Sequence, residues 1–122
     1  ELREIYQVVK EAQQAAADFV KIGVTGQEVD AVARKVITEA GYGEFFSHGL
    51  GHGIGMGGDG PILNPKSETI LKENMVMSVE PGIYLPGVGG VRIEDDVMIE
   101  NKIGVPLNQT TKELLVVGEC YV

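Results

Sequence analysis

A change of hydrophobic period near residue 44 constrains the fold of this chain more than any other feature of its sequence. Up to residue 40, apolar residues recur at spacings of three and four, which is the period of one face of an α-helix. From Phe45 onward they alternate with polar residues, and glycines and prolines interrupt the pattern. The sequence therefore predicts one α+β domain over 1–122, with a helical pair over 1–44 and a β-rich region over 45–122.

Two helices are predicted over residues 1–44. The first covers residues 2–20 and is followed by Gly23, which stops it. The second begins at Thr25, because Thr25 and Glu28 have the spacing of a capping box, and Gly41 follows its end. The predicted apolar face of the second helix consists of Val29, Val32, Val36 and Ala40.

The β-rich region is predicted to contain two long strands and a short final one. Residues 75–80 form a strand that stops at a Pro-Gly turn, and 83–85 continue it. Residues 91–99 form the returning strand, and 113–117 form the last one. The returning strand carries Arg92, Glu94 and Asp96 on one face and Val91, Ile93, Asp95 and Val97 on the other.

Composition excludes two classes of partner. The net charge is -8 and the isoelectric point is about 4.7, whereas nucleic-acid binding depends on Lys and Arg that displace counterions. No apolar run approaches the roughly 20 residues that a membrane span needs. The single cysteine, Cys120, has no partner for an internal disulfide, which is typical of a reducing compartment. We therefore expect a cytoplasmic protein that binds neither nucleic acid nor a membrane.

The stretch SHGLGHGIG contains both histidines of the chain, His48 and His52. Its glycines make a helix improbable, so the helical zinc motif is excluded. In an extended segment the four-residue spacing places both imidazoles on the same side. We expect the intervening glycines to leave room for a substrate or an ion beside the backbone. A phosphate-binding loop is a weaker interpretation, because no Lys-Ser or Lys-Thr pair comes directly after the glycines, as that motif requires.

His52, Glu80 and Glu94 form a candidate ligand set for a divalent ion, since one imidazole and two carboxylates suit metals of intermediate softness. Simpler interpretations of the same residues stay open. His48 is also explained as a half-buried imidazole bonded to the backbone, and Glu80 as an acid at a strand end. The run 94–96 is also explained as a solvated group of charges.

The motifs SHGLGHGIG, SVEPGIY and GGVRIEDDV occur in this order, and together they resemble the pita-bread metallopeptidases. Within that family they are more similar to the Xaa-Pro aminopeptidases and prolidases than to methionine aminopeptidase. The segment from Gly23 to Gly43 is also similar to a helical segment of these enzymes. The resemblance implies the C-terminal half of the catalytic domain, with two helices packed on a curved antiparallel sheet.

The resemblance also implies a role for each motif residue. His52 and Glu80 would bind one divalent ion, and Glu94 would bridge two ions, which could be manganese, cobalt, zinc or iron. Glu80 would move a proton, His48 would serve catalysis from the substrate side, and Arg92 would orient a carboxylate. The implied reaction is hydrolysis of the bond before proline, in proline-containing peptides, by a metal-bridged hydroxide.

Two differences from the family pattern are visible. Residues 56–61 lack the further histidine that precedes an acid in the family, and Asp59 stands for the acid. The two Asp ligands of the family's N-terminal half also have no counterpart. We therefore expect a fragment with an incomplete site, completed by a homodimer or by the missing N-terminal half. A non-catalytic binding or structural domain, or a creatinase-like hydrolase, are the alternatives.

Overall fold

The computed structural model describes residues 1–56 and 60–118, over which a pair of helices precedes all of the strands. Helix α1 spans Leu2–Phe19, helix α2 spans Gly26–Glu39, and a single 3-10 turn follows at Gly43–Phe45. The α+β order predicted from the change of period is therefore confirmed. The strands are β1 Gly51–His52, β2 Ile62–Leu63, β3 Val76–Val79, β4 Gly82–Leu85, β5 Gly89–Arg92, β6 Asp95–Glu100 and β7 Ile103–Pro106.

Both ends of α2 follow from local sequence. Thr25 Oγ1 accepts a hydrogen bond from the Glu28 N–H at 3.2 Å, and Glu28 Oε2 accepts one from the Thr25 N–H at 2.7 Å. This is the predicted capping box. Beyond the last turn, Gly41 has a φ of 92°, which a residue with a Cβ rarely adopts. The Tyr42 N–H can then bond the Ile37 carbonyl at 3.0 Å and close the helix end.

The buried face of α2 differs from the predicted one. Val29 is buried as expected, but the stripe continues through Ala33 and Ile37. Val32 and Val36 are only half-buried, and Ala40 is exposed. The helix is turned toward the side that carries Asp30, a charged residue that is 1% exposed. The predicted face was found from apolar residues alone. Because the buried face includes the charged Asp30, that pattern predicted a face displaced from the observed one.

The strands form three small antiparallel sheets: β1 with β2, β4 with β5, and β3 with β6 and β7. The antiparallel pairing was expected, but the returning strand predicted over 91–99 is divided into β5 and β6. Its alternation is nevertheless confirmed, since Ile93, Asp95 and Val97 are buried while Arg92 and Glu94 are exposed.

The last predicted strand, over 113–117, is wrong, because the described residues of this segment contain no strand. Strand β7 lies earlier, directly after β6. Asn101 and Lys102 have φ values of 53° and 75°, and positive values at both central residues are typical of a two-residue hairpin turn. Glu100 then pairs with Ile103. The turn was missed because neither residue is the glycine that usually marks it.

One apolar core joins the helices to the strands. Helix α1 packs against α2, β5 and β7, and the bridge between Gly53 and Met77 ties β1 to β3. Neither α1 nor α2 combines the length and apolarity that crossing a membrane requires. The core residues that carry most of its volume are Ile5, Val9, Val29, Ile37, Leu50, Leu63, Leu71, Met77, Ile83 and Ile99.

Candidate active site

A short break separates the antiparallel pair β3–β6 from the antiparallel pair β4–β5, and both predicted carboxylate ligands lie in this break. Val79 pairs with Asp95 and Gly82 pairs with Arg92, so two residues on each side lie between these pairs. On one side they include Pro81, which has no N–H to donate to a ladder. Glu80 and Glu94 are thus held in facing gaps at the join of β3 with β4 and of β5 with β6.

His52 and Glu80 are the two predicted ligands that the structure brings together. His52 Nε2 lies 3.2 Å from Glu80 Oε1, and His52 Nδ1 lies 3.0 Å from the carbonyl oxygen of Gly53. Because a carbonyl oxygen only accepts, Nδ1 carries the proton, and a neutral ring presents the lone pair of Nε2 to the carboxylate. Two acceptors at this distance repel each other unless a proton or a cation lies between them.

Ser78 connects these two side chains. Its hydroxyl is buried, accepts a hydrogen bond from the His52 N–H at 3.0 Å and donates one to Glu80 Oε1 at 2.8 Å. Side chains alternate along a strand, so Ser78 and Glu80 extend from the same side of the chain. The serine therefore fixes the position of the β1 backbone relative to the carboxylate.

Arg92 and Glu94 add charge of both signs. Arg92 Nε lies 3.7 Å from Glu80 Oε2. Contact with the Tyr84 side chain, and then the charge of Glu80, raise the pKa of the Arg92 guanidinium. The pKa of Glu94 is raised above its ordinary value by desolvation first and by the charge of Glu80 second, although the side chain is exposed. Glu80 and Glu94 therefore lie near enough to repel each other, and a cation between them would relieve that repulsion.

His48 lies on the other side of the same cleft. Its Nδ1 is 2.7 Å from the carbonyl oxygen of Gly49, and its Nε2 is 2.7 Å from the hydroxyl of Tyr84. The first contact makes Nδ1 the protonated nitrogen, so the Tyr84 hydroxyl donates to Nε2. The simpler interpretation, a half-buried imidazole bonded to the backbone, thus describes one of its two contacts. The second contact ties the ring to strand β4, which carries Tyr84.

Two glycines of the SHGLGHGIG stretch have a purpose beyond the one expected. A Cβ at Gly51 would overlap the carbonyl group of Ser78, and a Cβ at Gly53 would overlap the backbone of Gly60. Close packing of the chain therefore explains these two glycines, and Gly51 also lines the cleft, as expected of a position that leaves room for a ligand. They leave room for the backbone that passes beside β1, which brings His52 within reach of the strand that ends at Glu80.

A cleft of about 490 Å³ collects four of the predicted site residues, His48, His52, Glu80 and Arg92. Both imidazoles therefore open on one cavity, as their spacing predicted. Glu94 lines an adjoining cavity of about 340 Å³, to which Arg92 also contributes. Asp59 lies outside the described residues.

Residues 1–101 match the sequence profile of metallopeptidase family M24. The chain belongs to this family. It is 49% identical to an Xaa-Pro dipeptidase of Pyrococcus furiosus over an alignment of 114 residues. The alignment covers 93% of this chain and 33% of that protein. The resemblance drawn from the three motifs is thereby confirmed.

Solved structures of the M24 family have the same fold. A dipeptidase from Pyrococcus horikoshii OT3 matches with a TM-score of 0.92 and 46% identity over 95% of this chain. An X-Pro aminopeptidase from Thermotoga maritima MSB8 matches with a TM-score of 0.90 and 45% identity, also over 95%. These matches confirm the expected pita-bread α+β fold. The chain spans about a third of the length of each of these proteins.

Divalent metal ions belong to the chemistry of the M24 family, and the pair of His52 and Glu80 fits one such ion. Two ligand atoms bound at about 2.1 Å to the same ion lie about 3.0–3.4 Å apart for angles between octahedral and tetrahedral. The observed 3.2 Å falls in this range. The hydrogen bond from Nδ1 to a backbone carbonyl is also the usual support of a metal-bound imidazole.

The structure does not gather all three predicted ligands. Across residues 1–56 and 60–118, no three His, Cys, Asp or Glu side chains form a group that could hold an ion by themselves. Glu94 stays in its own gap, between β5 and β6. The described residues therefore supply one pair of candidate ligands, His52 and Glu80, and a separate carboxylate, Glu94.

Sequence reasoning missed several residues that shape this site. Ser78 could have been found, because it lies two positions before Glu80 and so on the same side of its strand. Asp30 and Arg34 could have been found as an ion pair, because they are opposite charges four residues apart in the same predicted helix. Tyr84 gave no signal that separates it from an ordinary strand residue.

Proposed function

We propose that this chain contributes to the active site of a metal-dependent Xaa-Pro dipeptidase, which hydrolyses the peptide bond before proline. The observation that carries the proposal is the contact of His52 Nε2 with Glu80 Oε1 at 3.2 Å, in the cleft that Arg92 and His48 also line. Membership of the M24 family and the names of the similar relatives support the substrate class. Some relatives are named X-Pro aminopeptidases, and this is the related alternative.

His52 and Glu80 would hold one divalent ion, and Glu94 would reach a second from the facing gap. When bound, such ions activate a shared water at neutral pH and polarise the scissile carbonyl. Manganese, cobalt, zinc and iron all accept these ligands. Glu80 Oε1 receives a hydrogen bond from Ser78, so Oε2, which Arg92 Nε approaches only to 3.7 Å, would take up a proton and return it to the leaving amine.

Arg92 and His48 would handle the substrate. The Arg92 side chain is 53% exposed and contacts Glu80 only at 3.7 Å, so its guanidinium can turn to a substrate carboxylate. An Xaa-Pro dipeptide carries such a carboxylate next to the reacting bond. The His48 imidazole, held by Tyr84, would border the opposite side of the bound peptide.

The active site would be completed by further ligands from a second copy in a homodimer or from an N-terminal half. The support is the number of ligands, since the described residues supply one close pair and a dinuclear site needs more. A cytoplasmic location and manganese as the native metal stay predictions.

The test combines calorimetric titration with Mn²⁺ and hydrolysis of an Xaa-Pro dipeptide by the same protein. Glu80→Gln is expected to reduce hydrolysis at least about 100-fold, the ordinary contribution of a proton-transferring group. Glu39→Gln, an exposed acid at the end of α2, is the matched control and should change neither measurement. Hydrolysis that persists after complete metal removal would indicate the creatinase-like alternative. Absence of both binding and hydrolysis in the protein with its further ligands present would indicate a non-catalytic domain.

A further inference from the structure

Asp30 and Arg34 form a charged pair inside α2 that has more contacts than an ordinary helix-surface pair. The Asp30 carboxylate is 1% exposed and accepts from Arg34 Nε at 2.8 Å and from Arg34 Nη2 at 3.0 Å. It also accepts from the backbone N–H of Leu50 at 3.0 Å. Burying a carboxylate costs free energy unless its oxygens accept hydrogen bonds. The Asp30 carboxylate accepts three, which satisfy most of its acceptor capacity.

The remaining donors of Arg34 reach the loop 46–50. Nη1 donates to the Phe46 carbonyl at 3.0 Å, Nη2 donates to the His48 carbonyl at 2.9 Å, and the guanidinium lies 4.1 Å from the centroid of the Phe46 ring. Together with the Asp30–Leu50 contact, the pair holds this loop at three backbone positions within five residues. We call Asp30 and Arg34 the α2 clamp.

The loop 46–50 carries His48 into the cleft. The Phe46 ring, which the clamp also contacts, lies edge-on to the imidazole at 5.2 Å between centroids. On its other side the imidazole meets Tyr84, at 2.7 Å from Nε2 to the hydroxyl. Arg34 therefore contacts the peptide unit of His48 directly and its ring indirectly, through the Phe46 side chain.

We propose that Asp30 and Arg34 are positioning residues of the cleft, which act through the backbone of 46–50 to hold the His48 imidazole against Tyr84. Neither residue lines the cleft itself. The proposal deepens the proposed function, because its consequence for substrate depends on His48 bordering the bound peptide. The geometric claim is independent of catalysis and can be tested alone.

Geometry separates this role from simple stabilisation of α2. An i,i+4 ion pair would need only the contact between the two side chains, whereas this arginine uses both Nη atoms on loop carbonyls. Lysine at position 34 would keep the charge beside Asp30 but has one nitrogen, which cannot span the carbonyls of Phe46 and His48 as a planar fork does. Arg34→Lys therefore separates folding from positioning.

The experiment compares Arg34→Lys and Arg34→Gln with Lys35→Gln, an exposed position next to the clamp on the same helix. Long-range ¹H–¹⁵N correlation spectra of the chain report the tautomer of each histidine ring, and the chain has only two. We expect both Arg34 variants to replace the single Nδ1-protonated form of His48 with an averaged signal. The His52 ring serves as the internal reference and should not change, and Lys35→Gln should change neither ring.

Folding is checked by circular dichroism, and Arg34→Lys keeps the test decisive if Arg34→Gln does not fold. An unchanged His48 ring in folded Arg34→Lys would overturn the proposal and leave the clamp a structural element only. If the unmutated protein hydrolyses an Xaa-Pro dipeptide, Arg34→Lys should lower its kcat/KM by roughly 10- to 100-fold, because His48 is misplaced. Absent hydrolysis in an unmutated protein that carries its further ligands contradicts the proposed function, while the ring spectra still decide the proposal on the clamp.

Discussion

The two sides of the cleft contrast in what holds their imidazoles. The His48 side rests on the buried Asp30 carboxylate and on Arg34, which fix backbone atoms at distances of 2.9–3.0 Å. The His52 side consists of a 63% exposed ring that faces a carboxylate at 3.2 Å, with Ser78 as the buried support. The nitrogens of His48 both have protein partners, whereas His52 Nε2 faces an acceptor that it cannot bond while the proton of the neutral ring is on Nδ1.

This contrast indicates which side a ligand would complete. Charges on the His48 side are paired within the protein, so that side keeps its geometry without help. On the other side, Glu80 raises the pKa of Glu94 after desolvation does, which is the mark of two carboxylates that repel each other. We therefore expect a bound cation to stabilise the second side. The predictions below test this difference.

The largest effect is expected from Asp30→Ala. The change leaves the Arg34 guanidinium without its counterion and the Leu50 N–H without its acceptor. Breaking a buried pair by removing one partner costs about 3–5 kcal/mol, and because Arg34 is partly exposed we expect about 3 kcal/mol. Urea unfolding measures the loss.

Asp18→Ala is the control for this prediction. Asp18 is an exposed acid on α1 with one side-chain partner, Gln14, and its removal should change stability by less than about 0.5 kcal/mol. If Asp30→Ala and Asp18→Ala lower the free energy of unfolding equally, the buried Asp30 contributes no more to stability than an exposed acid does.

Ser78→Ala should weaken metal binding on the other side of the cleft. The variant removes the hydroxyl that accepts from His52 N–H and donates to Glu80 Oε1. Loss of such a supporting group lowers metal affinity about 10- to 100-fold, and calorimetric titration with Mn²⁺ measures it. Ser78→Thr keeps the hydroxyl and should restore most of the affinity.

The matched control is Ser67→Ala. Ser67 is also buried, and among the described residues its hydroxyl has no hydrogen-bond partner. Its removal should leave Mn²⁺ affinity unchanged. If both alanine variants bind Mn²⁺ like the parent, Ser78 does not support the ligand pair.

Local patterns were enough to predict the two helices, while the roles of the candidate site residues rest on the family resemblance and stay predictions. The capping box at Thr25 and Glu28 depends on residues three apart, so it can be read without tertiary structure. The alternation through Ile93, Asp95 and Val97 also survived, although the strand itself is divided. The capping motif and this strand alternation therefore transferred from sequence to structure, whereas the apolar period of α2 predicted the wrong buried face.

What could not be predicted depends on contacts between distant segments. The break opposite Pro81 becomes visible only when the two strands are paired, and it decides where Glu94 lies. Gly51 was interpreted only as room for a ligand because the passage of Ser78 beside it, 27 residues further along the chain, has no local signal. The turn at Asn101 and Lys102 lacks glycine, so strand β7 was missed.

Tyr84→Phe should have an intermediate effect, because this tyrosine joins the two sides. Its hydroxyl donates to His48 Nε2, and its side chain is the first cause of the raised pKa of Arg92. Loss of one such hydrogen bond costs about 1 kcal/mol in urea unfolding. The His48 ring signal should change as well, since Nε2 loses its donor.

Tyr6→Phe provides the comparison for Tyr84. The Tyr6 hydroxyl donates to the Lys112 carbonyl at 3.0 Å, far along the chain from both histidines, so a similar bond is lost outside the cleft. A similar loss of stability with an unchanged His48 signal is expected. If Tyr6→Phe shifts the His48 signal as much as Tyr84→Phe does, the effect is not specific to the cleft.

The smallest effect concerns Tyr42, which belongs to neither side of the cleft. Its hydroxyl donates to Glu4 at 2.8 Å, and this hydrogen bond raises the pKa of the Tyr42 phenol above its ordinary value. The folded chain therefore holds the phenol proton more tightly than the unfolded chain. The contribution is fully present below about pH 10 and is lost as pH rises through the raised pKa. Unfolding midpoints of the parent and Tyr42→Phe, compared from about pH 8 to about pH 11, should converge at the alkaline end. A constant difference across this range would show that the hydrogen bond does not couple to the phenol proton, and the contact between Tyr42 and Glu4 would then contribute to stability independently of pH.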